Sequence, residues 1–422
     1  MKKDRMGDSA PSHAEITARL RELSSPLDTG SDAVAIILAA GHGKRIRSST
    51  SKMLHQIWGE PTVARVARAV QAGLETGNQI VVVGIKALAV AEALGKQAQR
   101  VFAYQAVQNG TGDAVRVALE HVPRSFSGHV YIFPGDMGLL TDEVVRRFRQ
   151  AFSANPCDMM VLTGIYSGPV AENYYGRIVR VPDQDLSGKA SGAARGNVIE
   201  IKEYKDILAL PSGARYEAGY DGARYDFARE ELLELREFNT GVFAFRAEPL
   251  RAYLQKLDTN NVQQELYLTD LIRIFNESGL VVKASAAQDN RTVLGFNTKS
   301  VLQEMEAYAR ESVYGKLKDL VSIEDKDDFF IADEVVEQIL ALAEQHRVLD
   351  IAVGKGAHIG KGVQLDCGVQ IGRSAKLLGN IELAENVVVD EGCELGTSEE
   401  EHMRIGRNTK ISHRNLIQGE VR

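Results

Sequence analysis

Apolar residues follow two different periods along this chain. At 34–38, 80–83, 130–133, 158–162 and 242–245 they form short, largely β-branched runs, and between them lie stretches with helical spacing such as 62–74 and 112–121. Short apolar runs alternating with helices predict an α/β domain, a mostly parallel sheet with helices on both faces. Further on, Val353, Ile359, Leu365, Ile371, Leu377, Leu383, Val389 and Leu395 recur every six residues. Small or β-branched residues (Ile351, Ala357, Val363, Val369, Ala375, Ile381, Val387) stand two positions earlier, and Gly354, Gly360, Gly372 and Gly396 directly follow four of the eight. After an offset at 397–403 the beat resumes at Ile405, Ile411 and Ile417. This period predicts a parallel β-helix, which at ~18 residues per three-sided turn makes about four turns.

Residues 301–320 and 333–345 read as helices joined by the charged segment 324–328, and 14–23 as a short helix between Pro11 and Pro26. The predicted organisation is an N-terminal extension (1–32), the α/β domain (33–299), a helical connector (300–349) and the β-helix (350–422). A chain of 422 residues is too long for one ordinary domain, and its 44% hydrophobic and 25% charged residues are those of a globular protein. A net charge of −7 offers no basic field for nucleic acid or anionic lipid. The expected partners are small molecules and copies of itself. Cys157, Cys367 and Cys393 lack metal-type spacing and read as free thiols. No signal-peptide pattern and no run of ~20 apolar residues is present, so no membrane association and a cytoplasmic location are expected.

Candidate chemistry begins at residues 38–52, LAAGHGKRIRSSTSK, just after the first apolar run. Gly41 and Gly43 remove the Cβ atoms that would hold an anion off the backbone N–H groups, while Lys44, Arg45 and Lys52 supply charged donors, so the stretch suits a polyphosphate. It is neither of two better-known glycine loops: G-x-x-x-x-G-K-[ST] does not occur, and Ile46 stands where G-x-G-x-x-G needs its third glycine. From these residues alone an ordinary basic strand-to-helix turn stays open. In parallel sheets ligands bind beyond the carboxyl ends of the strands, where the loops after Leu38 and Phe133 both fall.

Other motifs accompany this loop: QAVQNGTG at 105–112, Gly135-Asp136, Tyr175-Gly176-Arg177, Glu203 in EYKD, Asn239-Thr240-Gly241, YLTD at 267–270 and Gly295-Phe296-Asn297. In order and rough spacing they resemble the sugar-1-phosphate nucleotidylyltransferase family, in particular its N-acetylglucosamine-1-phosphate uridylyltransferases, whose L-A-A-G-x-G-x-R and P-K-x-L-H are similar to residues 38–55. The resemblance implies a Rossmann-like nucleotidyltransferase domain followed by a left-handed β-helix. It also implies Mg2+-dependent formation of UDP-N-acetylglucosamine and pyrophosphate from UTP and N-acetylglucosamine 1-phosphate. By the same resemblance Arg45 grips the departing pyrophosphate, and Lys52 serves the α-phosphate and the sugar phosphate. Leu38, Ala39, Gly41, Gly43, Gln105, Gly110 and Thr111 hold the nucleotide; Gly176, Glu203, Asn239 and Thr240 hold the sugar; Asp136 and Asn297 ligate Mg2+. Without it, Asp136 reads equally as a cap for a helix starting near Thr141, Gln105 as a surface strand end, Asn239 as a turn into the strand at 242–245, and Arg45 and Lys52 as solvated charges.

The match has departures. Ser51 replaces the usual proline, and His42 and Lys44 vary the loop. Pro134 replaces a tyrosine or leucine before Gly-Asp and removes an N–H. Residues 208–236, with a charged helix-like run at 228–236, are longer than the family's usual link, a candidate lid or subunit contact. The β-helix is shorter than in bifunctional members, and His358, His402 and His413 lack an acetyltransferase constellation, so uridylyl transfer without acetyl transfer is expected. Hexapeptide β-helices usually form trimers, which implies a homotrimer. The open alternatives are glucose or N-acetylgalactosamine 1-phosphate as acceptor, dTTP as donor, or a non-catalytic regulatory or assembly protein of this fold.

Overall fold

The apolar run at 34–38 forms β1 (Ala33–Ala39), buried on both sides. Ala33, Ala35, Ile37 and Ala39 join one core, and Val34 and Ile36 the other, as the two-residue alternation of a strand requires. In the computed structural model, residues 11–41, 43, 46–345 and 348–421 are described. They divide into two units, Met1–His55 with Glu60–Thr298, and Gln56–Gly59 with Lys299–Arg422.

Besides the two-residue strand Glu60–Pro61, the strands of the first unit after β1 are β2 (Gln79–Val83), β3 (Arg100–Tyr104), β4 (His129–Pro134), β5 (Met159–Ile165), β6 (Arg177–Arg180), β7 (Val198–Lys202), β8 (Arg215–Tyr220), β9 (Ala223–Ala228), β10 (Glu237–Arg246) and β11 (Val282–Ala286). Its helices are α1 (His13–Leu23), α2 (Thr62–Leu74), α3 (Ala87–Leu94), α4 (Thr111–Leu119), α5 (Asp142–Ala154), α6 (Tyr204–Ala209), α7 (Arg229–Glu234), α8 (Ala247–Leu254) and α9 (Leu271–Glu277). The main sheet runs β11-β5-β10-β4-β1-β2-β3, parallel except for β10, which is antiparallel to both neighbours. The chain moves outward from β1 to β2 and β3, then returns to place β4 on the other side of β1. That reversal opens a crevice beyond the carboxyl ends of β1 and β4. Helix α2 buries Val63, Val66, Ala67, Val70 and Leu74, the spacing of one helical face. The helix of the N-terminal segment starts in a Ser12–Glu15 capping box, and beyond it Ser24 and Ser25 bond Phe102 and Arg100 along the edge of β3.

In the second unit, α10 (Lys299–Leu317) and α11 (Asp333–Glu344) accompany three stacks of short parallel strands, the left-handed β-helix. Val353, Ile371 and Val389 lie in register in one stack, and Ile359, Leu377 and Leu395 in another. The eight residues of the first beat are buried, with Ile405 and Ile411, while Ile417, on the last rung, is half-buried. The offset at 397–403 leaves the stack intact, since Val389 pairs with Ile411 and Leu395 with Ile417. The connector expected at 300–349 is not helical throughout. Ser322–Ile323 and Phe330–Ile331 pair with Ala352–Val353 and His358–Ile359, so two sides of the β-helix begin before α11. Strands of two residues are too short to carry a period. The Gln338 side chain of α11 bonds both the N–H and the C=O of Leu365, both at 3.2 Å, satisfying an end of the third stack. Among the described residues no helix is long and apolar enough to cross a membrane, and all three cysteines are free and buried.

Candidate active site

The crevice is closed at its base by a backbone bond from Gly135 N–H to Leu38 C=O (2.9 Å), which ties the ends of β4 and β1 together. Asp136 follows at once. Opposite it, Lys52 opens a single 3₁₀ turn (Lys52–Leu54) and is only 9% exposed. Its ammonium donates to Asn297 Oδ1 (2.9 Å), forms an ion pair with the Asp136 carboxylate, and lies 5.3 Å from the centre of the Phe296 ring. An ammonium so far from water is stable only with such partners, so the solvated reading of Lys52 is excluded. The helix-cap reading of Asp136 also falls, because Thr141 caps α5 by accepting from Val144 N–H. One carboxylate and one amide oxygen thus converge on a single cation, a hard-oxygen pair that suits Mg2+ with water and phosphate completing its shell. Among the described residues no cluster of three or more His, Cys, Asp or Glu side chains offers another metal site.

Two glycines make this convergence sterically feasible. A Cβ at Gly295 would lie 2.9–3.0 Å from the Asp136 carboxylate atoms, and one at Gly43, whose φ is +56°, would lie 2.9 Å from Lys52 Cβ. Arg45, with His42 and Lys44, lies outside the described residues.

Of the residues expected to hold the nucleotide, Leu38 and Ala39 end β1, and Gly41 is exposed, with no atom of the described residues within 4 Å of a would-be Cβ. Gln105 is 3% exposed and its Nε2 donates to Gly110 C=O (3.2 Å) and Asp113 Oδ2 (2.9 Å), so it is a buried bridge and not a surface strand end. Gly110 has φ +106° and backs onto the Leu266 carbonyl, 2.5 Å from a would-be Cβ. Thr111 starts α4, and its hydroxyl accepts from Leu268 N–H (3.1 Å), an internal role.

Of the residues expected to hold the sugar, Asn239 bonds through its N–H to Gly176 C=O (2.9 Å), and a Cβ at Gly176 would lie 3.1 Å from Glu203 Oε1. Asn239 sits inside β10 at a register shift, not in a plain turn; its Oδ1 accepts from Gly241 N–H (2.8 Å), and Gly241 (φ +82°) makes room for the Pro134 ring. The Thr240 hydroxyl is engaged within the sheet, donating to Leu162 C=O (2.6 Å) and accepting from Val242 N–H (3.2 Å), so it has no proton left to donate to a ligand. The Glu203 carboxyl is pushed up to about 7, chiefly by burial and then by Asp206 and Asp270, against the lowering effect of Thr269 and Arg177. Asp270 is itself raised to about 6, mainly by burial. Two contributors had no role from sequence: Gly295, which admits Asp136, and Tyr175, whose hydroxyl donates to Gly295 C=O (3.1 Å) and links the two sides. Both stand in quoted motifs, but nothing in their residue type marks these contacts.

The MobA-like NTP transferase domain family matches residues 35–178. The chain is 30% identical over 409 residues to bifunctional protein GlmU of Corynebacterium aurimucosum, covering 91% of this chain and 76% of that protein. It is 33% identical over 305 residues to that of Caldanaerobacter subterraneus subsp. tengcongensis (72% and 57% covered), and 37% identical over 273 residues to that of Streptomyces avermitilis (64% and 49% covered). The chain therefore belongs to the GlmU family of sugar-1-phosphate nucleotidylyltransferases. It spans little more than half the length of several of these curated relatives.

Proposed function

We propose that this protein catalyses Mg2+-dependent transfer of the uridylyl group of UTP to N-acetylglucosamine 1-phosphate, releasing pyrophosphate. The observation that carries the reading is the convergence of Lys52, Asp136 and Asn297 at the head of the crevice. In the reaction a phosphate oxygen of the sugar phosphate attacks the α-phosphorus in line, and the bond to pyrophosphate breaks. Both reactants are anions, so position and fixed positive charge are what a protein must supply. Asp136 and Asn297 would hold Mg2+, which when bound neutralises triphosphate charge. Lys52 would bridge the α-phosphate and the incoming phosphate, and Arg45 would hold the leaving pyrophosphate. Leu38, Ala39, Gly41, Gly43, Gln105, Gly110 and the backbone of Thr111 would receive the nucleotide. Gly176, Asn239, Glu203 and the backbone of Thr240 would receive the sugar, and a Glu203 largely protonated just below neutral pH can donate to a sugar hydroxyl as well as accept from one.

We assign no acetyl transfer to this chain: the His358 ring stacks on Phe330 at 4.3 Å, and His402 and His413 are exposed, His413 beside Asp390. Trimerisation through the β-helix and a cytoplasmic location complete the reading. A pyrophosphate-release assay over a panel of sugar 1-phosphates and nucleoside triphosphates, with acetyl-CoA and glucosamine 1-phosphate as a separate arm, tests it. UTP with N-acetylglucosamine 1-phosphate is the expected best pair. Preference for glucose, N-acetylgalactosamine or dTTP would redirect the substrate assignment, and no release with any pair would favour the non-catalytic alternative.

A further inference from the structure

The YLTD motif at 267–270 has no part in the proposed reaction, yet the chain around it is bonded to both groups of expected substrate residues. Just before it, residues 261–265 form a loop held by one side chain. Asn261 Oδ1 accepts from the N–H groups of Gln263 and Glu265, both at 3.2 Å, and its Nδ2 donates to Glu265 C=O (2.6 Å). This loop is fixed to the first turn of α6. Val262 N–H donates to Asp206 Oδ1 (3.0 Å), and the Lys205 ammonium donates to Gln263 Oε1. Helix α6 starts directly after Glu203, its N-cap residue.

The chain then crosses to the start of α4. Leu266 N–H donates to Asn109 C=O (2.8 Å), Gly112 N–H donates to Leu266 C=O (2.8 Å), and Leu268 N–H donates to the Thr111 hydroxyl (3.1 Å). A Cβ at Gly110 would lie 2.5 Å from the Leu266 oxygen and 2.8 Å from its nitrogen, so the two backbones meet with no slack between them. Beyond the turn Leu268–Asp270 comes α9, whose Asn276 Nδ2 donates to Val198 C=O (3.0 Å) and Ile199 C=O (2.9 Å). These hold the start of β7, the strand that ends next to Glu203. Residues 261–276 thus run from the helix that follows Glu203, past Gly110 and Thr111, to the strand that precedes Glu203.

We propose that residues 261–276 are a spacer that fixes the separation of the acceptor sugar phosphate from the nucleotide, with Asp206 the positioning residue at its first anchor. It rests on the nucleotide reading of Gly110 and Thr111 and the sugar reading of Glu203. In-line attack needs the phosphate oxygen and the α-phosphorus at a set distance, and a protein that holds each reactant well but at the wrong spacing loses rate and keeps affinity. Cutting the bond from Val262 to Asp206 frees one end of the spacer and removes no group assigned to either substrate.

The test compares Asp206→Ala with Asp206→Asn in the full chain, read by the single-turnover rate of pyrophosphate release, the KM for UTP and for N-acetylglucosamine 1-phosphate, and Tm. Both variants remove the charge that Asp206 places near Glu203, and only alanine removes the acceptor of the Val262 N–H. A misplacement near 1 Å costs about 10²-fold, so a drift of about half that predicts a single-turnover rate about tenfold lower in Asp206→Ala, with both KM values within about twofold. The asparagine variant is expected to stay within about twofold of the wild-type rate. Should Asp206→Ala fail to fold, Lys205→Met, which removes the bond to Gln263, is expected to lower the same rate a few-fold with both KM values kept. Equal losses in the alanine and asparagine variants, a loss confined to KM, or an unchanged rate in whichever anchor variant folds overturns this inference alone. A wild-type protein that releases no pyrophosphate with any substrate pair overturns both it and the proposed function.

Discussion

Gly295→Ala is the smallest change aimed at the cation cluster. An added Cβ would fall 2.9–3.0 Å from Asp136 Oδ2, Cγ and Oδ1. Ordinary contacts begin near 3.5 Å, so the carboxylate must shift by about 0.5 Å relative to Lys52 and to any metal held with Asn297. The backbone at Gly295 is not left-handed, so alanine is conformationally acceptable, and its lower unfolded-state entropy contributes about 0.4–1 kcal/mol that offsets part of the clash. A displacement near 1 Å costs about 10²-fold in rate, so half of that predicts a fall in kcat of about tenfold, or ~1.4 kcal/mol. The assay is pyrophosphate release across a Mg2+ titration, with thermal unfolding alongside. Expected are the lower kcat, a higher half-saturating Mg2+ concentration and a nearly unchanged Tm. Gly315→Ala in α10, with no neighbour within 4 Å of the new methyl, is the control and should leave kcat alone. Wild-type kcat and Mg2+ dependence in Gly295→Ala would refute the argument that Asp136 needs this clearance.

Two further outcomes follow from the same geometry. Gly41→Ala meets no atom of the described residues within 4 Å, so its stability should hold while UTP affinity falls about tenfold or more from a methyl against the ligand; unchanged affinity by calorimetry would remove Gly41 from the proposed nucleotide site. Glu203 binds its proton more tightly folded (about 7) than unfolded (4.5), so its stabilising effect is complete below pH 4.5 and is lost as pH rises through 7, a swing of up to about 3 kcal/mol. Urea unfolding of Glu203→Gln should therefore match wild type near pH 4.5 and show a gain at pH 8; parallel curves at both pH values would contradict the buried, proton-holding environment of Glu203.

Much of the architecture could be read from periodicity, because burial on both faces of β1 and the six-residue beat from Val353 leave marks in residue type alone. What escaped has physical reasons. Ser322–Ile323 and Phe330–Ile331 are strands only because Ala352–Val353 and His358–Ile359 pair with them, a long-range fact with no local period. The glycines and cations of the loop around Lys52 suit a polyphosphate by residue type alone, but the burial of Lys52 between Asp136 and Asn297 depends on residues 84 and 245 positions away. Thr240 and Thr111 matched a motif, yet their hydroxyls serve the sheet and the start of α4, and a motif cannot say which way a side chain is spent. Gly295 was visible as a letter and invisible as a clearance.

The central claim is that Lys52, Asp136 and Asn297 surround the reacting phosphates. Single-turnover pyrophosphate release by Asp136→Ala, at saturating UTP, N-acetylglucosamine 1-phosphate and Mg2+, tests it most directly. The account predicts a loss of about 10²–10³-fold relative to wild type with the fold intact. Turnover within a few-fold of wild type would contradict it.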